Sequence, residues 1–369
     1  METGAQTQGR LSGEFGNSAR AASWSVSLGA QTPHSEEQLA ESAFRRRLVT
    51  PFRILILLLI VSVPLLNPWI HGDGVGYYSY LHSLLIEHNL DFTAEWRAAN
   101  ATFAQSRTSP TGELLPNQFT RTGHVDNHFA VGPAILWMPF LVPLHGALLA
   151  LKSMGVDVTT DGYSRPYLWT MAFATVAYGF AGLSLSFAIA RKYVGESWAL
   201  CGTAGIWFAS SLPVYMYLNP SWSHAHSLFA VALFLWYWLR TREHRSSVQW
   251  IWLGLAAGLM VNVYYLNAIV LLVPAFESLR KLWRDGQQSG SSRNWKAVLT
   301  GNFLFAASLV AALLPTLVTR KIIYGSFFST GYPGVSEWRW LHPRFATILF
   351  SSDHGLLSWT PVIAIALIG

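Results

Sequence analysis

Cysteine is nearly absent: Cys201 stands alone in 369 residues. An internal disulfide is therefore excluded, and so is a zinc site built on several thiolates. Cys201 lies inside an apolar run and reads as a small packed side chain. Charge is scarce as well. Asp, Glu, Lys and Arg make up 12% of the chain, against 51% apolar residues and 17 tryptophans. Soluble proteins carry about twice that charged share. So few charges cannot solvate the outside of a globule this large, which points to a polytopic membrane protein. The sequence also lacks a P-loop, a GxGxxG after a strand, an HExxH, a nucleophile elbow around Ser210-Ser211 and any sustained repeat. The net charge of +6 does not argue for nucleic acid. Lys and Arg sit mostly between apolar blocks, where they read as topology signals.

Residues 1–43 hold no apolar run and no signal-peptide core, and read as a disordered cytoplasmic tail. Ser35-Glu36-Glu37-Gln38 matches a capping box for a short helix. Arg45-Arg46-Arg47 precede the first apolar block, 52–70, and hold that end in the cytoplasm. The polar stretch 71–128 then lies outside. Within it Tyr77, Tyr78, Leu81, Leu84, Leu85 and Leu90 recur at near-helical spacing, which predicts a short amphipathic helix on or near the membrane surface. Further blocks follow at 129–151, 167–190, 198–218, 221–239, 248–279 and 297–318, and a last one begins at Leu356. If Arg191-Lys192 and the runs 240–245 and 280–284 are all cytoplasmic, 248–279 must cross twice. It is too short for two full spans, so two short helices are expected to meet near Asn262 and Asn267 and leave an outer recess. The same count makes 129–151, with Pro133, Pro139 and Pro143, a broken, re-entrant or interfacial helix. The alternative is that Arg191-Lys192 faces outside. The block from Leu356 to Gly369 falls short of a span, so the domain over 44–369 reads as C-terminally truncated. The expected fold is an all-α, polytopic transmembrane bundle with a long first extracytoplasmic loop.

In that topology the polar residues that are not topology signals gather outside, among them Asp73, Asp91, Glu95, His124, Asp126, His128, His224, His226, Asp353 and His354. Asp73 sits in His71-Gly72-Asp73-Gly74-Val75-Gly76-Tyr77-Tyr78. Glycines on either side would let a ligand approach the carboxylate. Burial at the membrane edge would raise its pKa toward that of a general base. A Gly-Asp-Gly turn that merely ends a helix is the other reading. Tyr77 and Tyr78 behind it could stack on a sugar ring. Asp126 could supply a second carboxylate or cap a turn. His224 and His226 stand two apart and on a helix would not share a face, which disfavours a metal pair. Arg320-Lys321, and His354 further along, would lie outside against the positive-inside bias. Either they hold a lipid phosphate or they snorkel to the interface.

Gly72-Asp73-Gly74 after the first span, the long loop, and then Phe129-Ala130-Val131-Gly132-Pro133-Ala134 resemble polytopic glycosyltransferases of the GT-C type. These use polyprenyl-phosphate sugars and include the protein O-mannosyltransferase and aminoarabinose-transferase branches. Asn219-Pro220-Ser221-Trp222-Ser223-His224-Ala225 and His354-Gly355-Leu356-Leu357-Ser358-Trp359-Thr360-Pro361 look like segments of bacterial members. The resemblance implies transfer of a sugar from a polyprenyl-phosphate donor to a glycan, lipid or protein acceptor at the outer face of the cell membrane. Asp73 would be the base, and Arg320 and Lys321 would hold the donor phosphate. It implies no organic cofactor. Asp73 lacks the adjacent second acid of several branches, which leaves a divalent metal open. The competing reading is a multi-span transporter or lipid flippase, which should carry ionisable groups at the span midplanes.

Overall fold

The first apolar block becomes helix α1, Pro51–Ser62, tightened at its end by a 3-10 turn over Val63–Leu65. Helix therefore covers less of the expected 52–70 span. Beyond Leu65 the chain is held by its neighbours: Asn67 N–H donates to Tyr217 O at 2.7 Å, and the Ser62 and Tyr217 hydroxyls meet at 2.6 Å. The computed structural model describes residues 50–98, 107–287, 295–329, 331–332, 344–353 and 355–368. The expected tail over 1–43, its capping box, the arginine flank at 45–47 and His354 lie outside the described residues.

Among the described residues the fold is all-helical, with two isolated β-bridges, Thr108 with Leu114 and Phe119 with Val125, in place of any strand. After α1 come α2 (Asp73–His82), which widens into a π turn over Ser83–Glu87, and α3 (Thr93–Ala98). Next are α4 (Gly132–Ser153), α5 (Arg165–Ala190) and α6 (Glu196–Phe208). A π turn over Val214–Leu218 leads to α7 (His224–Thr241) and α8 (Ser247–Val263). A 3-10 turn at Tyr265–Leu271 precedes α9 (Leu272–Gln287) and α10 (Trp295–Tyr324). The last apolar block is split at Thr360-Pro361, so that α11 (Phe345–Phe350) is followed by two short pieces, α12 (Leu356–Trp359) and α13 (Val362–Ile368). Three helices, α4, α5 and α10, are long and apolar enough to cross a membrane.

Helix α2 corrects the surface-lying amphipathic helix. Every residue from Gly74 to His82 is buried, so no polar face is left for water. Tyr80 and Trp96 are enclosed with Phe92, Phe129 and Trp137 in one apolar cluster that joins the loop to α4. The described part of the loop 71–128 is thus a packed body that shares its core with α4.

Helix α4 corrects the broken helix. It runs unbroken for 22 residues through Pro139 and Pro143. Prolines inside apolar helices are tolerated where neighbouring helices and local adjustment satisfy the freed carbonyls. The segment before α4 is bound to the loop body, and the connector after it returns there: Tyr78 OH donates to Gly162 O at 2.6 Å, and His82 Nε2 lies 3.0 Å from Asp161 O. Helix α5 then carries the chain to the far end, where Phe187 stacks on Phe52 at the start of α1.

The reversal expected in 248–279 is present. The chain leaves from Arg245, turns at Tyr264, and Glu277 comes back to Arg245 at 3.2 Å. A capping box of Ser246 with Gln249 starts α8. On one side the turn is packed against α4. A Cβ on Gly132 would stand 2.4 Å from the Asn262 carbonyl, so α4 begins in direct contact with the end of α8. Asn267 satisfies the end of α8, its Nδ2 donating to Met260 O at 3.0 Å, while Asn262 ties α8 to α10, its Nδ2 donating to Ala312 O at 2.6 Å.

Candidate functional site

Asp73 opens α2, preceded by Gly72 in the left-handed region at φ 52°. Its carboxyl is half-buried. The following glycines do not make room for a ligand; the chain itself takes that room. A Cβ on Gly74 would lie 2.0 Å from Ser221 Oγ, and one on Gly76 1.9 Å from the Phe129 ring. They let α2 pass against Pro220-Ser221-Trp222 and Phe129, and that contact fixes where Asp73 points.

Around the carboxylate stands a set of rings, from buried Tyr77 through half-buried Tyr215 and Tyr264 to exposed Tyr332. Tyr77, Tyr215, Tyr264 and Tyr332 all feel its charge. His224 meets Tyr215 edge-on at 4.0 Å, Trp222 stacks on Tyr215 at 5.6 Å, and Trp222 Nε1 donates to His71 O at 3.0 Å. Arg107 is the cation of the site, close enough to both Asp126 and Asp73 for each carboxylate to favour its charge. Burial pushes the Asp73 carboxyl above its ordinary range, and Arg107 opposes part of that rise. Asp126 accepts from the Tyr324 hydroxyl and lines a cleft of about 280 Å³ with Asn117, Thr120 and Arg121. His128, against Tyr332 at 4.8 Å, is held below the usual histidine range by burial, which outweighs the charge of Asp126.

The charges of the two expected carboxylates, Asp73 and Asp126, are therefore both felt at the Arg107 guanidinium. Other expected site residues are not. Arg320 is 2% exposed. Its Nη1 donates to Asn127 O at 2.8 Å, and its Nη2 to His128 O at 2.8 Å, Phe129 O at 2.9 Å and the Tyr265 hydroxyl. Tyr265 and Tyr324 cover it at 5.4 and 5.3 Å. A guanidinium spent in this way cannot also receive a phosphate. Lys321 is exposed, and its Nζ caps α10 by donating to Gly325 O at 2.9 Å. Neither Tyr77 nor Tyr78 offers a face to a sugar. Tyr77 is edge-on to Phe129 at 5.1 Å and accepts from Ser223 Oγ, while Tyr78 is enclosed by Trp137 and Tyr163.

His82, Glu87 and Glu95 bring potential ligand atoms within 4.8 Å of one another. Their hydrogen bonds give them other work. His82 Nδ1 is 2.9 Å from Glu95 Oε1, and Nε2 must donate to the Asp161 carbonyl. Burial disfavours the imidazolium, but the hydrogen bond and charge of Glu95, with the carbonyl, outweigh it and raise the His82 pKa. The pair fastens α2 to α3 and to the connector after α4.

Arg107, Tyr215, Tyr264 and Tyr332 escaped the sequence reading. Arg107 carried a usable signal, because a basic residue in the first loop runs against the positive-inside bias as Arg320 does. The tyrosines come from three separate segments, and nothing in their spacing links them.

No family model matches this chain, and neither does any curated protein or solved structure. Among the described residues, fold and site together define an all-helical arrangement with three membrane-length helices and a packed loop body that holds a half-buried carboxylate among aromatic rings.

Proposed function

We propose that the chain is a polytopic membrane glycosyltransferase that moves a sugar from a polyprenyl phosphate to an acceptor hydroxyl. The observation that carries this reading is Asp73, a half-buried carboxylate with a raised pKa, beside Arg107 and walled by aromatic side chains. In this reading the loop body lies outside the cytoplasmic membrane and the basic clusters lie inside. Rings that keep accessible area, such as Tyr264 and Tyr332, provide the apolar faces against which a sugar stacks.

The acceptor oxygen attacks the anomeric carbon while Asp73 takes its proton. The bond from that carbon to the phosphate oxygen breaks, and the polyprenyl phosphate leaves with the bonding electrons. Arg107 meets the charge that develops on the leaving phosphate, the role first read for Arg320 and Lys321. A raised pKa suits the base, because a carboxylate close to the working pH accepts a proton with less penalty.

The test is transfer by the purified full chain, assayed with a panel of pentose and hexose polyprenyl phosphates. Asp73→Asn should slow transfer by about a hundred- to ten-thousand-fold, with thermal stability unchanged. Near-full transfer by Asp73→Asn, with a dead Asp126→Asn, would move the base to Asp126.

A further inference from the structure

Helix α9 is unlike its neighbours. Leu272, Phe276, Leu279 and Trp283 recur at i, i+4, i+7 and i+11, which is one stripe along a helix. All four are exposed, at 65 to 70%. The opposite side is polar and tied down. Glu277 accepts from Arg245 at 3.2 Å, Lys281 at 3.0 Å and Trp238 Nε1 at 2.6 Å, and Lys281 also donates to Arg242 O.

Between this helix and the end of α7 lies a cavity of about 760 Å³, lined by Trp238, Arg242, Glu243, Leu272, Phe276 and Arg280 among others. Glu277 is neutralised by its two cations, and no ion pair among the described residues engages Arg242 or Arg280. Leu272 and Phe276 belong to both the cavity wall and the exposed stripe. A ligand with an anionic head and an apolar tail is the chemistry that fits both surfaces.

We propose that this cavity holds the phosphate of an anionic phospholipid, with α9 lying in the plane of the membrane surface. The phosphate rests on the Arg242 and Arg280 guanidiniums, whose fork matches its oxygens. The acyl chains run out over Leu272 and Phe276 into the lipid that covers the stripe. A helix apolar along one face and basic on its flank takes this position. Arg242, Arg280 and Lys281 line the cavity with Glu243 and Glu277, an excess of one positive charge that favours an anionic leaflet. The proposal rests on the membrane-length helices. Asp73 has no part in it, so the transfer assay and this test fail independently.

Native mass spectrometry of the full chain in neutral detergent, titrated with phosphatidylglycerol and with phosphatidylcholine of the same chains, tests the headgroup. Phosphatidylglycerol should be retained several-fold better. That preference should fall about five-fold for each charge removed by Arg242→Gln and Arg280→Gln, and persist in the Lys variants. Equal retention of the two lipids overturns the proposal, as does an unchanged preference in the folded double Gln variant. If the double variant does not fold, Arg280→Gln alone, at an exposed position, decides on the same criterion. In a second measurement Cys201 is replaced and an environment-sensitive dye is placed at Phe276→Cys. Its emission should shift to the blue on phosphatidylglycerol vesicles. A dye that stays in water, or cross-linking of Phe276→Cys between two copies, overturns the helix placement.

Discussion

Arg320 shows how one side chain can be read two ways. As a basic residue at the end of an apolar block it looks like a phosphate ligand, but its guanidinium carries the carbonyls of Asn127, His128 and Phe129 just before α4 begins. Arg320→Gln should leave buried carbonyls unsatisfied, at about 1–3 kcal/mol each. A fall in melting temperature and in monodisperse yield is the expected result. Arg320→Lys should not rescue it, because an ammonium lacks the fork that spans these carbonyls. A Gln variant with wild-type melting and selectively weak donor binding would return Arg320 to the phosphate. His82 makes a pH prediction. Its raised pKa means that the folded chain holds the proton more tightly than the unfolded chain does. The resulting stability is complete below the ordinary histidine pKa of about 6.5 and is lost as pH climbs through the folded value. Glu95, Glu87 and Asp161 are the groups that set it. In detergent, the melting-temperature difference between wild type and His82→Gln should shrink as pH rises from the acid side through that window. A difference that is constant or grows with pH would show that the imidazole is neutral when folded.

Among the elements, α4 depends most on a single contact. Its first residue, Gly132, touches the main chain of Asn262 and Val263, where a Cβ would come within 2.4 Å. Backbone at the end of a helix cannot step aside as a flexible side chain can. Gly132→Ala should therefore cost about 1–3 kcal/mol, seen as a lower melting temperature. Gly146, in the same helix, has nothing within 4 Å of its would-be Cβ. Gly146→Ala should be neutral or stabilising by up to about 1 kcal/mol. Equal effects at the two positions would mean that α4 does not seat against α8. The end of α8 at Val263 is held on three sides: Asn267 bonds Met260 O, Asn262 bonds Ala312 O of α10, and Gly132 of α4 packs on its main chain.

For the molecule as a whole, the order of helices makes a testable map. The connector after α4 returns to the loop body, whereas the end of α7 and the start of α8 lie with Glu277 at the other end. With Cys201 replaced, a cysteine at Ser153 should react with a membrane-impermeant thiol reagent in intact spheroplasts. A cysteine at Ser247, next to the cap and not part of it, should react only after lysis. Labelling of both from outside would refute the proposed arrangement of α5, α6 and α7.

The sequence by itself determined the class of fold. Few charges and long apolar blocks leave helices as the way to satisfy backbone groups in an apolar setting, and the boundaries of α5 and the reversal after Val263 follow from that patterning. The place of Asp73 was legible too, because a carboxylate between glycines after an apolar helix is a local pattern, and it opens α2 there. Tertiary structure decided the rest, since the deciding contacts join residues far apart in the chain. Burial on every side of α2 depends on Trp137, Tyr163 and Phe129, so Tyr77 and Tyr78 became core instead of a sugar platform. Arg320 was taken by carbonyls nearly two hundred residues earlier. Arg107 feels Asp73 and Asp126 across a separation in the chain that no local spacing reveals. Periodicity reports which face of a helix is apolar; what covers that face is set by packing, which no local spacing records.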